Sequence, residues 1–202
     1  MTSDHAISLV ESLQVLADLR TDEVVVTTMG AAREWVKICN HPLDFVMVPS
    51  SMGQASSVGL GIALARPDKQ VIVCNGDGSM LMNLGSLITI STQAPKNFAL
   101  LIFDNGMYEV TGGQATPAST GLRGEKCSVQ FDELASVCGF GTVQVFKTLD
   151  EWQSGAKEFL AQPGPICGVL KTAPVSGNVS PKSPGPAKQR ALNFKEALAA
   201  DS

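Results

Sequence analysis

The chain has 202 residues, of which 44% are hydrophobic and 17% charged, and a net charge of −4. That composition supports one soluble domain with a full core and excludes wholesale disorder. The acidic balance gives no electrostatic basis for binding nucleic acid, and no apolar run reaches the roughly 20 residues of a membrane-spanning helix. The opening MTSDHAISLVESL has acidic residues and no basic lead, so it does not read as a secretory signal. The cysteines, Cys39, Cys74, Cys127, Cys138 and Cys167, are odd in number and form no CxxC. This usage predicts a reducing, cytoplasmic setting and argues against a structural zinc or an iron–sulfur cluster.

Along the chain, residues 6–20 carry apolar positions near helical spacing and predict an amphipathic helix, followed by a strand over 22–28. A short helix over 32–39 and a strand over 43–48 come next. A helix of small residues spans 53–65, with Pro67 just past its end, and a strand follows over 69–75. The spacing then predicts a helix over 79–93 with Ser79 as its N-cap, and a strand over 97–104. Gly, Thr, Ser and Pro dominate 106–128, which reads as a loop. Helix, strand, helix and strand follow at 131–140, 142–146, 149–162 and 164–171. From Ala173 a Pro-, Gly- and Ser-rich segment is expected to form no element, before a short helical patch over 190–200. From Lys171 onward five basic residues stand against two acidic ones.

Continuously apolar strands alternating with helices predict an α/β fold: a doubly wound, mostly parallel sheet with helices on both faces. The domain is expected over 1–172, with 173–202 as a tail. In such folds ligands bind at the C-terminal ends of the strands. Two polar loops stand there, NGDGS at 75–79 and DNGMYEVTGGQ at 104–114. Gly76 and Gly78 are expected to allow a sharp turn and close approach of a ligand. Ser79 and the N–H groups after it open a helix, which suits an anion. Asp77 repels an anion directly but can hold one through a divalent metal such as Mg²⁺, which takes oxygen ligands shared with phosphate. Asn105 offers an uncharged amide oxygen from a second strand end, and a backbone carbonyl just after it offers a third ligand. In isolation GDGS is usually just a turn; the second loop at this spacing favours a metal-bound diphosphate.

GDGS, followed some two dozen residues later by a strand ending in Asp104-Asn105, resembles the thiamine diphosphate motif of the thiamine-dependent decarboxylase superfamily. The usual ending there is Asn-Asn, so Asp104 either adds negative charge near the metal or points into the structure. The resemblance implies a thiamine diphosphate-binding fold in which the side chains of Asp77 and Asn105 and the carbonyl of Met107 hold Mg²⁺. Gly76, Gly78, Ser79, Asn105 and Tyr108 are then coenzyme-binding positions, with Gly78 and Ser79 on the diphosphate. The stretch PSSMGQASSVGLGIALA (49–65) is similar to the segment that supports the coenzyme's pyrimidine. Met52 there wedges between the two rings, and backbone groups of Ser50 and Met52 bond the aminopyrimidine. The stretch VTTMGAAREW (26–35) resembles the first strand-end loop, from which Thr28 reaches the diphosphate.

More narrowly, DNGMYEVTGGQATP together with SMGQASSVGLG resembles the coenzyme-binding half of phosphonopyruvate decarboxylases and the β subunit of sulfopyruvate decarboxylases, over residues 20–172. The implied reaction is decarboxylation of a 2-oxo acid, with the coenzyme supplying the electron sink. The Glu that activates the coenzyme belongs, in this superfamily, to a separate pyrimidine domain, for which a single-sheet chain has no room. The chain therefore resembles a β subunit that works only with an α subunit, in an α₂β₂ assembly or larger. Thr111 stands where related decarboxylases carry a catalytic Glu. Glu109 reads either as a proton donor to the intermediate left after CO₂ release or as a solvated loop carboxylate. Tyr108 and Gln114 are further candidates for substrate contact. Arg123 and Lys126 read as cations for an anionic substrate or as solvated side chains. His5 and His41 read as surface residues, and Trp35, Met29, Met80 and Met82 as core. The competing functions are a carboligase of the acetolactate synthase type, the β chain of a 2-oxo-acid oxidoreductase (which lacks its cluster cysteines here), a non-catalytic thiamine diphosphate-binding module, and a flavodoxin-like nucleotide-binding domain.

Overall fold

The computed structural model describes residues 6–49, 52–119, 129–175 and 181–200. His5, Ser50, Arg123, Lys126 and Cys127, all singled out above, lie outside the described residues. Six parallel strands form one sheet: β1 (Val24–Thr27), β2 (Asp44–Val46), β3 (Val71–Gly76), β4 (Phe98–Asp104), β7 (Thr142–Phe146) and β8 (Ile166–Lys171). Their order is β2-β1-β3-β4-β8-β7. The chain runs outward from β1 to β2, then crosses back over β1 to β3. The tips of β1 and β3 therefore flank the switch point where doubly wound sheets bind ligands.

Helices cover both faces, as the sequence predicts. On one side α3 (Ala55–Ala65), α5 (Gly85–Gln93) and α6 (Phe131–Cys138) pack over Val73, Leu100, Ile102 and Val169. On the other, α1 (Leu9–Leu19), α2 (Met29–Ile38) and α7 (Leu149–Leu160) enclose Val25, Ile72, Leu101, Trp35 and Trp152. Every residue of β4 is buried, because layers on both sides leave no solvent-facing position. α7 is fixed at its start by a capping box between Thr148 and Glu151. The small residues of α3 serve close packing on its own sheet. A Cβ at Gly59 would stand 2.2 Å from Val73 Cγ2, so only glycine lets the helix lie this near β3.

Four expectations are corrected. The helix over 79–93 is two: α4 (Asp77–Leu81), capped by Gly76 and not by Ser79, and α5, with a turn between them. The break is tertiary in origin, since Asn83 Nδ2 turns back to donate to Gly53 O at 2.9 Å. The 106–128 loop, where described, contains a small antiparallel hairpin, β5 (Met107–Tyr108) and β6 (Gln114–Ala115), joined by a 3₁₀ turn at Glu109–Thr111. The terminal helix α8 (Ala187–Ala200) starts earlier than expected and docks on the edge strand β2. There Phe194 meets Phe45 edge-on at 5.0 Å, and Arg190 donates to the carbonyls of Val46 and Val48. Finally, His41 is half-buried: its Nδ1 faces Arg20 Nη2 at 3.1 Å and accepts from Leu43 N–H at 3.1 Å, beside the Arg20–Asp44 ion pair.

Candidate functional site

Three loops meet at the switch point. The first follows β1. Thr28 is fully buried and caps α2, and Met29 adopts φ = 52°, a left-handed conformation that side chains other than glycine rarely take. Met29 lines the cleft instead of filling the core, a further departure from expectation. The second loop follows β3. Gly76 has φ = −89° and Gly78 is likewise outside the positive-φ region, so neither glycine is needed for a sharp turn. Gly78 is needed for another reason: a Cβ there would lie 2.5 Å from Cδ1 of Tyr108, whose ring rests on it. The third loop is the β5–β6 hairpin after β4.

Asp77 opens α4 and is 2% exposed. Its carboxylate accepts from Thr116 Oγ1 at 3.0 Å and from the backbone N–H groups of Gly78 and Gly106. Burial, reinforced by the nearby charge of Asp104, pushes its pKa up to about 7, although those three donors act in the opposite direction. The ion pairs among the described residues do not include Asp77.

Asp104 is answered by Lys171, its register partner on β8, at 2.5 Å. The residue thus both points into structure and still acts on Asp77 through its charge. Asn105 lies at the tip of β4, half-buried, with Oδ1 accepting from Met107 N–H at 2.9 Å. One of its lone pairs is therefore used to shape its own loop. Ser79 Oγ accepts from Gly53 N–H at 3.0 Å, which leaves its own proton to donate elsewhere. With Asn83 holding Gly53 O, this bond fastens the Met52 loop to the start of α4.

The cleft brings together Met52, Gly76, Asp77, Gly78, Ser79, Asn105, Met107, Tyr108, Glu109 and Thr111 from the expected set. Thr28 sits buried behind this lining, next to Met29. Thr111 is exposed at the mouth. Glu109 is not a solvated loop carboxylate: its side chain is 12% exposed, and Oε1 accepts from Val175 N–H at 2.5 Å. Met80 is core as expected, whereas Met82 is 55% exposed because it falls in the turn after α4.

Sequence reasoning missed four contributors. Thr116 orients Asp77 across 39 positions, Lys171 pairs with Asp104 across 67, and Asn83 clamps Gly53 across 30. Leu9, from α1, supplies apolar wall. Only Lys171 left a trace, as a lone charge ending an apolar strand.

A doubly wound sheet carrying a buried acid and an amide on neighbouring strand tips defines an α/β domain that takes its ligand at the switch point. The family model described as "Thiamine pyrophosphate enzyme, C-terminal TPP binding domain" matches residues 26–167, and the chain belongs to that family. The sulfopyruvate decarboxylase subunit beta of Methanothermobacter thermautotrophicus is 33% identical over 171 residues, 84% of each chain. That of Methanococcus maripaludis is 37% identical over 170 residues, covering 84% of this chain and 86% of its own. The phosphonopyruvate decarboxylase of Streptomyces viridochromogenes is 38% identical over 164 residues, 81% of this chain. Of that longer protein the chain spans only 39%. A putative thiamin diphosphate-dependent enzyme from Mycobacterium smegmatis shares the fold with a TM-score of 0.65 at 19% identity, over 86% of this chain and 35% of its own.

Proposed function

We propose that this chain is the coenzyme-binding β subunit of a two-component, Mg²⁺-dependent 2-oxo-acid decarboxylase acting on a sulfopyruvate- or phosphonopyruvate-like substrate. The observation that carries the reading is the buried Asp77 carboxylate at the switch point, raised to about 7 and one strand from Asn105. A second carboxylate nearby and only neutral donors in contact are the conditions a divalent cation relieves, so the residues present fit a metal. Asp77, Asn105 and the Met107 carbonyl would hold it.

Thiamine diphosphate, when bound, supplies the electron sink for loss of CO₂. The chain's own residues bind and orient. Gly78 and Ser79 follow Asp77 at the start of α4 and would hold the diphosphate. Met52, fastened by Ser79 and Asn83 through Gly53, lines the cleft and would support the coenzyme's rings. Thr111 and Tyr108 border the space left for substrate. Among the described residues this cleft offers only Asp77 and Glu109 as carboxylates, both engaged with protein donors. The activating Glu is assigned to an α subunit, and the β-subunit relatives support that division. Assembly as α₂β₂ or larger and a cytoplasmic setting belong to the same reading; no described helix is long and apolar enough to cross a membrane.

The test is reconstitution. The full chain is titrated with thiamine diphosphate with and without Mg²⁺, then mixed with a sulfopyruvate decarboxylase α subunit and offered sulfopyruvate and phosphonopyruvate. Mg²⁺-dependent uptake, with aldehyde and CO₂ formed only in the mixture, is expected. Uptake indifferent to Mg²⁺ and to Asp77→Ala would overturn the site, and a carbon–carbon coupled product would reassign the reaction.

A further inference from the structure

The hairpin that carries Met107 and Tyr108 is too short to hold itself. Its strands have two residues each, and the bonds Gly113 N–H to Tyr108 O (2.9 Å) and Thr116 N–H to Gly106 O (2.8 Å) frame it. A ladder of this size is marginal in water without outside anchors. Thr116 anchors its base through Asp77. Its far end is anchored by Glu109.

We propose that Glu109 is a positioning residue: a latch that fastens this hairpin to α2 and to the segment leaving β8, coupling the C-terminal extension to coenzyme binding. The inference rests on the coenzyme-binding reading above. Oε1 accepts from Val175 N–H at 2.5 Å, 66 positions along the chain and four residues beyond the end of β8. Oε2 lies 3.9 Å from Arg33 Nη2 on α2 and 3.3 Å from where a Cβ at Gly30 would stand. Two separate segments, α2 and the stretch leaving β8, therefore converge on one mostly buried carboxylate. Arg33 is itself steadied by Glu34 at 2.6 Å. Oε1, accepting the Val175 N–H, is committed as an acceptor, which suits fastening. The segment so held is the start of the extension that leads to α8, whose Arg190 grips the opposite edge of the sheet.

Three full-length variants test this. Val175→Pro removes the donor and leaves Glu109 in place; Glu109→Ala removes the acceptor; Glu109→Gln keeps an oxygen for Val175 but loses the charge facing Arg33. Hydrogen exchange at Gly113 and Thr116, measured without coenzyme, is expected to quicken about tenfold in Val175→Pro and Glu109→Ala, the scale of one lost charge-assisted hydrogen bond. Glu109→Gln should fall between these and the parent. Calorimetry with thiamine diphosphate and Mg²⁺ should show roughly tenfold weaker uptake in the first two. In the complex with an α subunit, Val175→Pro should keep kcat at saturating coenzyme. Unchanged exchange in both Val175→Pro and Glu109→Ala overturns the latch. So does a kcat loss of about a hundredfold in Glu109→Gln with coenzyme affinity intact, the signature of a proton-transfer group. Because the exchange assay uses no coenzyme, failure of the parent chain to take up thiamine diphosphate counts against the proposed function and leaves the latch to be judged on exchange.

Discussion

Replacing Asp77 by Asn should stabilise the empty protein at alkaline pH, although it removes the central ligand of the proposed site. In the fold this carboxyl titrates at about 7 against an ordinary 3.8. Between those values the folded chain holds a proton that the unfolded chain has released, so stability falls as pH rises and levels off above 7. The accumulated penalty is about 4 kcal/mol at most. Asparagine escapes it but keeps one acceptor oxygen where Asp77 has two, serving Thr116, Gly78 and Gly106. That loss offsets about 1 kcal/mol. A net gain of about 2–3 kcal/mol at pH 8, or on the order of 8 °C in Tm, is expected, shrinking to nothing or reversing at pH 5. Adding Mg²⁺ with thiamine diphosphate should invert the ranking at pH 8, since only the parent keeps the charge that binds the cation. Thermal unfolding of both proteins at pH 5 and 8, with and without these ligands, reads all of this. Equal Tm values in the empty state at pH 8, or identical responses to Mg²⁺ and coenzyme, would refute the electrostatic account.

Asp104→Asn removes the charge that helps to raise Asp77, so the pH midpoint of Mg²⁺ uptake, followed by titration calorimetry, should move downward. Thr116→Val deletes the 3.0 Å bond to Asp77 at constant shape, with an expected loss of about 1 kcal/mol in urea unfolding and several-fold weaker coenzyme uptake. Gly59→Ala forces a methyl against Val73, and the urea midpoint should fall by the equivalent of about 1–3 kcal/mol with no direct effect on the cleft.

The centre of the sheet was legible because β1, β3, β4 and β8 are buried on both faces. Uninterrupted runs as short as FALLIFD, bounded by turn-forming residues, read as buried strands, and the ends of such runs locate Asp77 and Asn105. What escaped was whatever depends on a partner far along the chain. Nothing local in SMLMNLG announces a helix break, because the cause is Asn83 reaching the carbonyl of Gly53. Two-residue strands such as Met107–Tyr108 carry no periodicity to detect. Glu109 stood open between a proton donor and a solvated loop carboxylate because its donor, the amide of Val175, is invisible until the chain is folded. The departure at Asp104 was likewise readable only beside Lys171.

Helix α8 has a practical bearing on anyone trimming this protein. A version stopped before Pro186 would bare the ring of Phe45 and the carbonyls of Val46 and Val48, now covered by Phe194 and Arg190. An uncovered sheet margin of this kind recruits strands from neighbouring molecules, so shortened preparations should precipitate or form higher-order aggregates while the full-length chain stays dispersed.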